Sequence, residues 1–143
     1  MKVLRGTIVV IIGFVVLYLL VEGIEFAIVK LASGKSLTYL SQNPDEYFSI
    51  RNRPWILGMK IIYSFVAAIS SGVLVSLLAP RTNRTYTFVF TLLQLFALIW
   101  AGFISDLSTT GPTWMWISLI VVIPVGIYLG DFLRGLWRSY SNH

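Results

Sequence analysis

The chain has 143 residues, of which 57% are hydrophobic and 12% charged. A soluble domain carries about a quarter charged residues, so water is the wrong solvent for this surface. Its formal charge of +5 sits at the edges of apolar runs instead of on one accessible face, which excludes a nucleic-acid partner, and the absence of Cys excludes disulfides, thiolate metal sites and dithiol redox chemistry.

In chain order, Lys2 and Arg5 precede an apolar run over 7–20 that resembles a secretory signal. The apolar stretch resumes after Glu25 and no small-x-small site closes it, so a retained first span over 4–32 is expected. A connection over 33–53 follows. Within it Asn43-Pro44-Asp45-Glu46 has the order of a helix start, with a cap, a proline and then acids at the positive dipole end. A short interfacial helix over 44–52 is expected.

The second span, 54–79, carries Lys60 and a small residue at every fourth position: Ser64, Ala68, Gly72 and Ser76. Helices in lipid associate by close backbone approach, which makes this stripe a packing face. The turn from Ala79-Pro80 through Arg81 and Arg84 leads to a third span over 84–105. That span has its own small or polar face of Thr87, Thr91, Gln94, Ala97 and Ala101, and the two faces are expected to meet across the hairpin. Asp106 ends it. Gly111-Pro112 opens the fourth span, 112–137, which holds Pro124 as a kink or bonding gap, Gly126 and Gly130 as a packing pair, and Asp131, Arg134 and Arg138 at its far end.

Each run is long enough for the roughly 20 residues that cross about 30 Å of hydrocarbon, and helix is the state that satisfies backbone groups there. The expected fold is all-α: one domain over 1–143, four transmembrane helices in an antiparallel bundle plus the interfacial helix. Lys2, Arg5, Arg81, Arg84, Arg134 and Arg138 share one side, against Lys30, Lys35, Arg51 and Arg53 on the other. The positive-inside rule therefore puts both termini in the cytoplasm, and the composition suits a bacterial inner membrane. Arg81, Arg84, Arg134 and Arg138 are expected at lipid headgroups. The five Trp fall near expected interfaces and read as anchors.

The chemically informative residues are Glu22, Glu25 and Lys60. With hydrocarbon starting near Ile8, Glu22 lies about 21 Å in, and Lys60, descending from Pro54 and Trp55, lies about 8 Å below the outer boundary. All three reach a similar depth, where an ionisable group costs up to about 2.5–3.5 kcal/mol on insertion scales. Pairing one Glu with Lys60 offsets that cost, and Gln94 and Asp106 are further polar candidates for the same layer. The cluster is either a structural ion pair, a proton- or cation-responsive site, or a bond to another subunit.

Glu22, then Lys30 and Ser33-Gly34, resemble the first helix of small multidrug-resistance transporters. The resemblance implies a proton- and drug-binding role for Glu22 alone. It is confined to a short stretch, and the long first loop, Glu25 and Lys60 depart from that family. A nearby lysine would also repel its cationic substrates. No nucleophile with a base, metal-ligand cluster or phosphate loop is present, so neither catalysis, a metal nor a cofactor is expected. The leading expectation is a non-enzymatic accessory or scaffold subunit, binding a protein partner or a second copy of itself in the lipid bilayer. The alternative is a small oligomeric transporter or channel using Glu22, Glu25 and Lys60. An enzyme acting on lipids at the interface ranks third.

Overall fold

The computed structural model describes residues 2–79 and 84–140. Every regular element among them is helical. In order these are α1 (Lys2–Ser33), α2 (Leu37–Gln42), α3 (Pro44–Arg51), α4 (Pro54–Leu78), α5 (Thr85–Ile99) and α6 (Thr113–Tyr140). Four of them, α1, α4, α5 and α6, are long and apolar enough to cross a membrane. Arg81 and His143 lie outside the described residues.

Local chemistry sets the helix ends. Gly34, at φ 68°, takes the left-handed conformation that closes α1, and its N–H donates to Lys30 O at 3.0 Å. The connection holds two helices where one was expected. Ser36 caps α2 by accepting from Tyr39 N. Asn43 stands at the start of α3, yet its side chain does not cap that helix; its Nδ2 donates back to Tyr39 O at 2.9 Å and closes α2. Pro44, Asp45 and Glu46 occupy the first turn of α3. At the far end of α5 the chain widens into a five-residue turn, Trp100–Ile104, in which Ser105 N bonds Trp100 O five residues back. A 3₁₀ turn, Asp106–Thr110, then leads to α6, which runs without a break through Pro124.

The small-residue stripe of α4 does not meet α5 as expected. It packs along α6, the most extensive helix contact in the molecule. Gly72 lies against the backbone of Ile127, Gly126 against Ala68 and Phe65 O, and Gly130 against Ile69 O and Val73 N. Arg134 Nη1 donates to Ser76 Oγ at 3.2 Å. The physical reason is mutual: glycines on both helices leave no side chain between the backbones, so these two surfaces approach each other most closely. The polar face of α5 serves elsewhere. Thr87 Oγ1 bonds Asp131 on α6 at 3.4 Å, while Gln94, Ala97 and Ala101 line a cavity.

On the remaining side α1 rests on α4 and α5. Gly13 admits Val75 and the ring of Phe90, and Phe14 meets Phe90 edge-on with centroids 5.1 Å apart. Val75, Phe90, Met115 and Ile127 are fully buried and form the centre of this core. A second apolar cluster, Val29, Leu40, Tyr47, Ile50 and Ile56, fastens α2 and α3 over the end of α1 and the start of α4. That placement brings α3 to the charged residues.

Candidate functional site

Glu22 and Glu25 stand three apart on α1 and share a face. Only Glu25 is enclosed, at 2% exposure. Four groups converge on its carboxylate. Lys60 of α4 bonds Oε2, and Tyr63, three residues on and therefore on the same face of α4, donates to Oε2 at 3.1 Å. Tyr47 of α3 donates to Oε1 at 2.8 Å, and Arg51 Nε lies 3.8 Å from the same oxygen. Burial, reinforced by the neighbouring carboxylate, pushes the Tyr47 phenol up, so it remains a protonated donor.

Arg51 and Asn52 extend this constellation to the next element. Arg51 Nη2 and Asn52 Nδ2 both donate to Thr110 O, at 3.1 and 2.9 Å. The Phe48 ring lies 5.0 Å from the Arg51 guanidinium, within cation–π range. Gly111 makes room for Arg51 Nη2 and for Met115. One carboxylate thus ties α1, α3 and α4 together, and its arginine carries the link to the turn before α6. A buried pair gains stability when its remaining lone pairs and protons are also bonded. Tyr47 and Tyr63 each fill a further acceptor site of the carboxylate, while Arg51 Nε is buried without a hydrogen-bond partner among the described residues.

Glu22 is differently placed. It is half-buried and makes no hydrogen bond or ion pair among the described residues. It lines two adjoining cavities. The first, about 310 Å³, lies among the four long helices and takes in Lys60, Ser64, Gln94 and Trp116 with mainly apolar walls. The second, about 410 Å³, lies toward α2 and α3 and adds Glu25, Tyr47, Arg51 and Thr110. Both share Tyr18, Glu22, Lys60, Leu107 and Trp116, so the charged layer is their common wall. Gly102, in the widened turn, abuts Trp116 and lets that ring approach α5. Ser64 Oγ and Trp116 Nε1 are buried without a hydrogen-bond partner among the described residues. Each such atom costs about 1–3 kcal/mol unless something satisfies it.

The structure therefore brings together Glu25 and Lys60, with Glu22 and Gln94 on the adjoining cavity. It does not bring Asp106 into the layer: that residue is exposed at the start of the 3₁₀ turn and lines neither cavity. A backbone that turns back at Ser105 carries it outward, although its depth along α5 suggested otherwise. Ala68, Gly72, Ser76, Gly126 and Gly130 belong to the α4–α6 seam, while Ser64 faces the cavity. At the other end, Asp131 bonds across to α5, with Arg84 Nε 3.7 Å away, and Arg138 is exposed. Arg134 spends its guanidinium on Ser76 of α4.

Sequence reasoning missed Tyr47, Arg51 and Tyr63. The spacing of Tyr63 from Lys60 is a signal that was there to read. For Tyr47 and Arg51, four apart on α3, no signal in the sequence said that α3 folds back onto Glu25. Arg51, counted with the exposed charges for orientation, is instead a buried partner of Glu25. No protein-family model matches the chain, and comparison with curated proteins and with solved structures gives no match either. The likeness of α1 to small multidrug-resistance transporters thus stays local.

Proposed function

We propose that this chain is a multi-pass protein of the cell membrane, with both termini cytoplasmic and its four long helices crossing the bilayer in alternate directions as one domain. Its role is that of a non-enzymatic accessory or scaffold subunit. The outward faces of these helices carry large exposed apolar side chains such as Ile11, Val15, Leu19, Phe96, Val121 and Val125, a surface suited to lipid. Arg84 and Arg138 then reach headgroups, and α2 and α3 lie at the outer interface. A bacterial inner membrane suits the composition.

One observation carries the scaffold reading. The Glu25 carboxylate has Lys60, Tyr47, Tyr63 and Arg51 around it, which is the arrangement of a closed lock between helices. An ion-exchanging site needs a carboxylate that can release its partners. Native mass spectrometry from membranes tests the role: a fixed stoichiometric partner or homo-oligomer is expected, and a lone monomer under conditions that keep weak complexes intact refutes it.

The second reading, a small oligomeric transporter, has Glu22 in its favour, since this carboxylate lines both cavities and makes no hydrogen bond among the described residues. It predicts proton or cation flux in reconstituted vesicles that Glu22→Gln abolishes. Absence of flux from well-folded protein removes it.

A further inference from the structure

The cavity among the four long helices has mainly apolar walls and a few polar lining groups. Phe14, Leu17, Leu98, Leu119 and Ile123 form its walls, and Leu119 and Ile123 continue the face of α6 that begins at Trp116. Glu22, Lys60, Ser64, Gln94 and Trp116 are its polar lining residues. Two of these hold unpartnered atoms deep in the fold: Ser64, at 0% exposure, with its Oγ, and Trp116, at 9%, with its Nε1. An apolar cleft of at least about 300 Å³ with a few convergent polar groups is the form of a small-molecule site.

The polar atoms define the head that fits. The Glu22 carboxyl offers acceptor oxygens, the Trp116 indole only donates, and the Ser64 hydroxyl does either. A single small group that satisfies all three must both donate and accept, as a hydroxyl does. Charge selects in the same direction. Glu22 and Glu25 are matched by Lys60 and Arg51, so the layer is formally balanced; an anionic head would face Glu22 and a cationic head would face Lys60. Tyr18 and Leu107 are exposed as well as lining the cavity, so it opens at the protein surface.

We propose that this cavity binds a neutral amphiphile with a hydroxyl head, drawn from the surrounding lipid. Its hydroxyl lies at Glu22, Ser64 and Trp116, and its apolar chain lies along Leu119 and Ile123. This rests on the membrane placement proposed above, and makes the scaffold a lipid-dependent one.

The test uses full-length protein in lipid nanodiscs in which Trp55, Trp100, Trp114 and Trp137, all well exposed, are replaced by Phe, leaving Trp116 as reporter. Bromoundecanol is expected to quench Trp116 saturably, and dodecanol to reverse the quenching by competition. Glu22→Leu is expected to weaken the apparent affinity about tenfold, the loss of one hydrogen bond to a charged acceptor. Ser64→Ala is expected to weaken it several-fold, and carries the same test should Glu22→Leu not fold. Equal, unsaturable quenching by bromoundecanol, bromoundecanoic acid and a bromoundecylammonium salt would mean partition into lipid only and overturns the proposal. Preference for the ammonium head, lost in Glu22→Gln, overturns it in favour of an organic-cation site. Failure of the scaffold reading shows separately, as a lone monomer in the mass spectrum, and leaves the quenching result standing.

Discussion

Along α4, two stretches hold neighbouring helices by opposite means. Near its start, Lys60 and Tyr63 fix α1 and α3 through polar groups gathered on one carboxylate. Further along, Ala68 and Gly72 let the backbone of α6 come close, and the one polar side-chain contact printed for that seam, Arg134 to Ser76, lies at its far end. The first contact demands specific partners in specific positions. The second demands small residues where the backbones meet. Damage to the first should therefore be repairable by removing the other partner, whereas damage at Ala68 and Gly72 should depend on added volume.

The largest expected effect is at the charged contact. Lys60→Met leaves Glu25 buried beside Arg51 alone among cations and should destabilise the folded protein by about 3 kcal/mol, read from thermal or denaturant unfolding in mild detergent. Glu25→Gln added to that variant should recover much of the loss, since an unpaired buried charge is removed with it. A double variant as unstable as the single one would show that the pair is not the lock described.

Next comes the seam. Gly72→Ala drives a methyl group into the Ile127 backbone and should cost about 2 kcal/mol. Gly58→Ala, in the same helix but facing open space, should stabilise by about 0.5 kcal/mol, because it only removes chain entropy. Equal unfolding midpoints for the two variants would erase the distinction between the faces. Smaller again, Tyr47→Phe deletes one donor to Glu25 and should cost about 1 kcal/mol in the same unfolding assay, with a comparable result for Tyr63→Phe.

The smallest effect lies outside both contacts, where Lys35 pairs with Glu46 between the end of α1 and α3. The hydrogen bond from Lys35, then that from Tyr39, holds the Glu46 carboxyl below the usual carboxylate range, and Glu46 raises the Lys35 ammonium in turn. The contribution of Glu46 is complete above its unfolded value and fades as pH falls through the lowered folded one. That of Lys35 is complete below its unfolded value and fades as pH rises through the raised one. A carbon-13 titration of Glu46 should give a midpoint below that of an isolated glutamate, and an ordinary midpoint would show the pair to be absent in solution.

The difference between these contacts also explains what was legible in the sequence. The four long helices were readable because apolar run length is a property of each segment alone, and Ala79-Pro80 and Gly111-Pro112 mark boundaries by local backbone chemistry. The short helix Leu37–Gln42 carries no apolar period long enough to register. Partner choice is a property of two segments. The stripe on α4 announced close approach without naming α6, and sequence adjacency favoured α5 wrongly. Depth along each helix placed Glu22, Glu25 and Lys60 at one level. It did not say which carboxylate meets the lysine, because three residues along a helix differ in rotation by about 60°. Only the packed rotation of α1 decides that, together with a loop helix whose return path no local signal encodes.

The separation of Glu25 from Lys60 by 35 residues bears on how such a chain is made. On the membrane reading, α1 emerges from the ribosome before its lysine has been polymerised. At about 5–20 residues per second that interval lasts roughly two to seven seconds, during which the carboxylate is without its lysine. A lone acid of this kind resists transfer into lipid. Biosynthesis should therefore hold α1 at the insertion machinery until α4 arrives, and release the two as a pair.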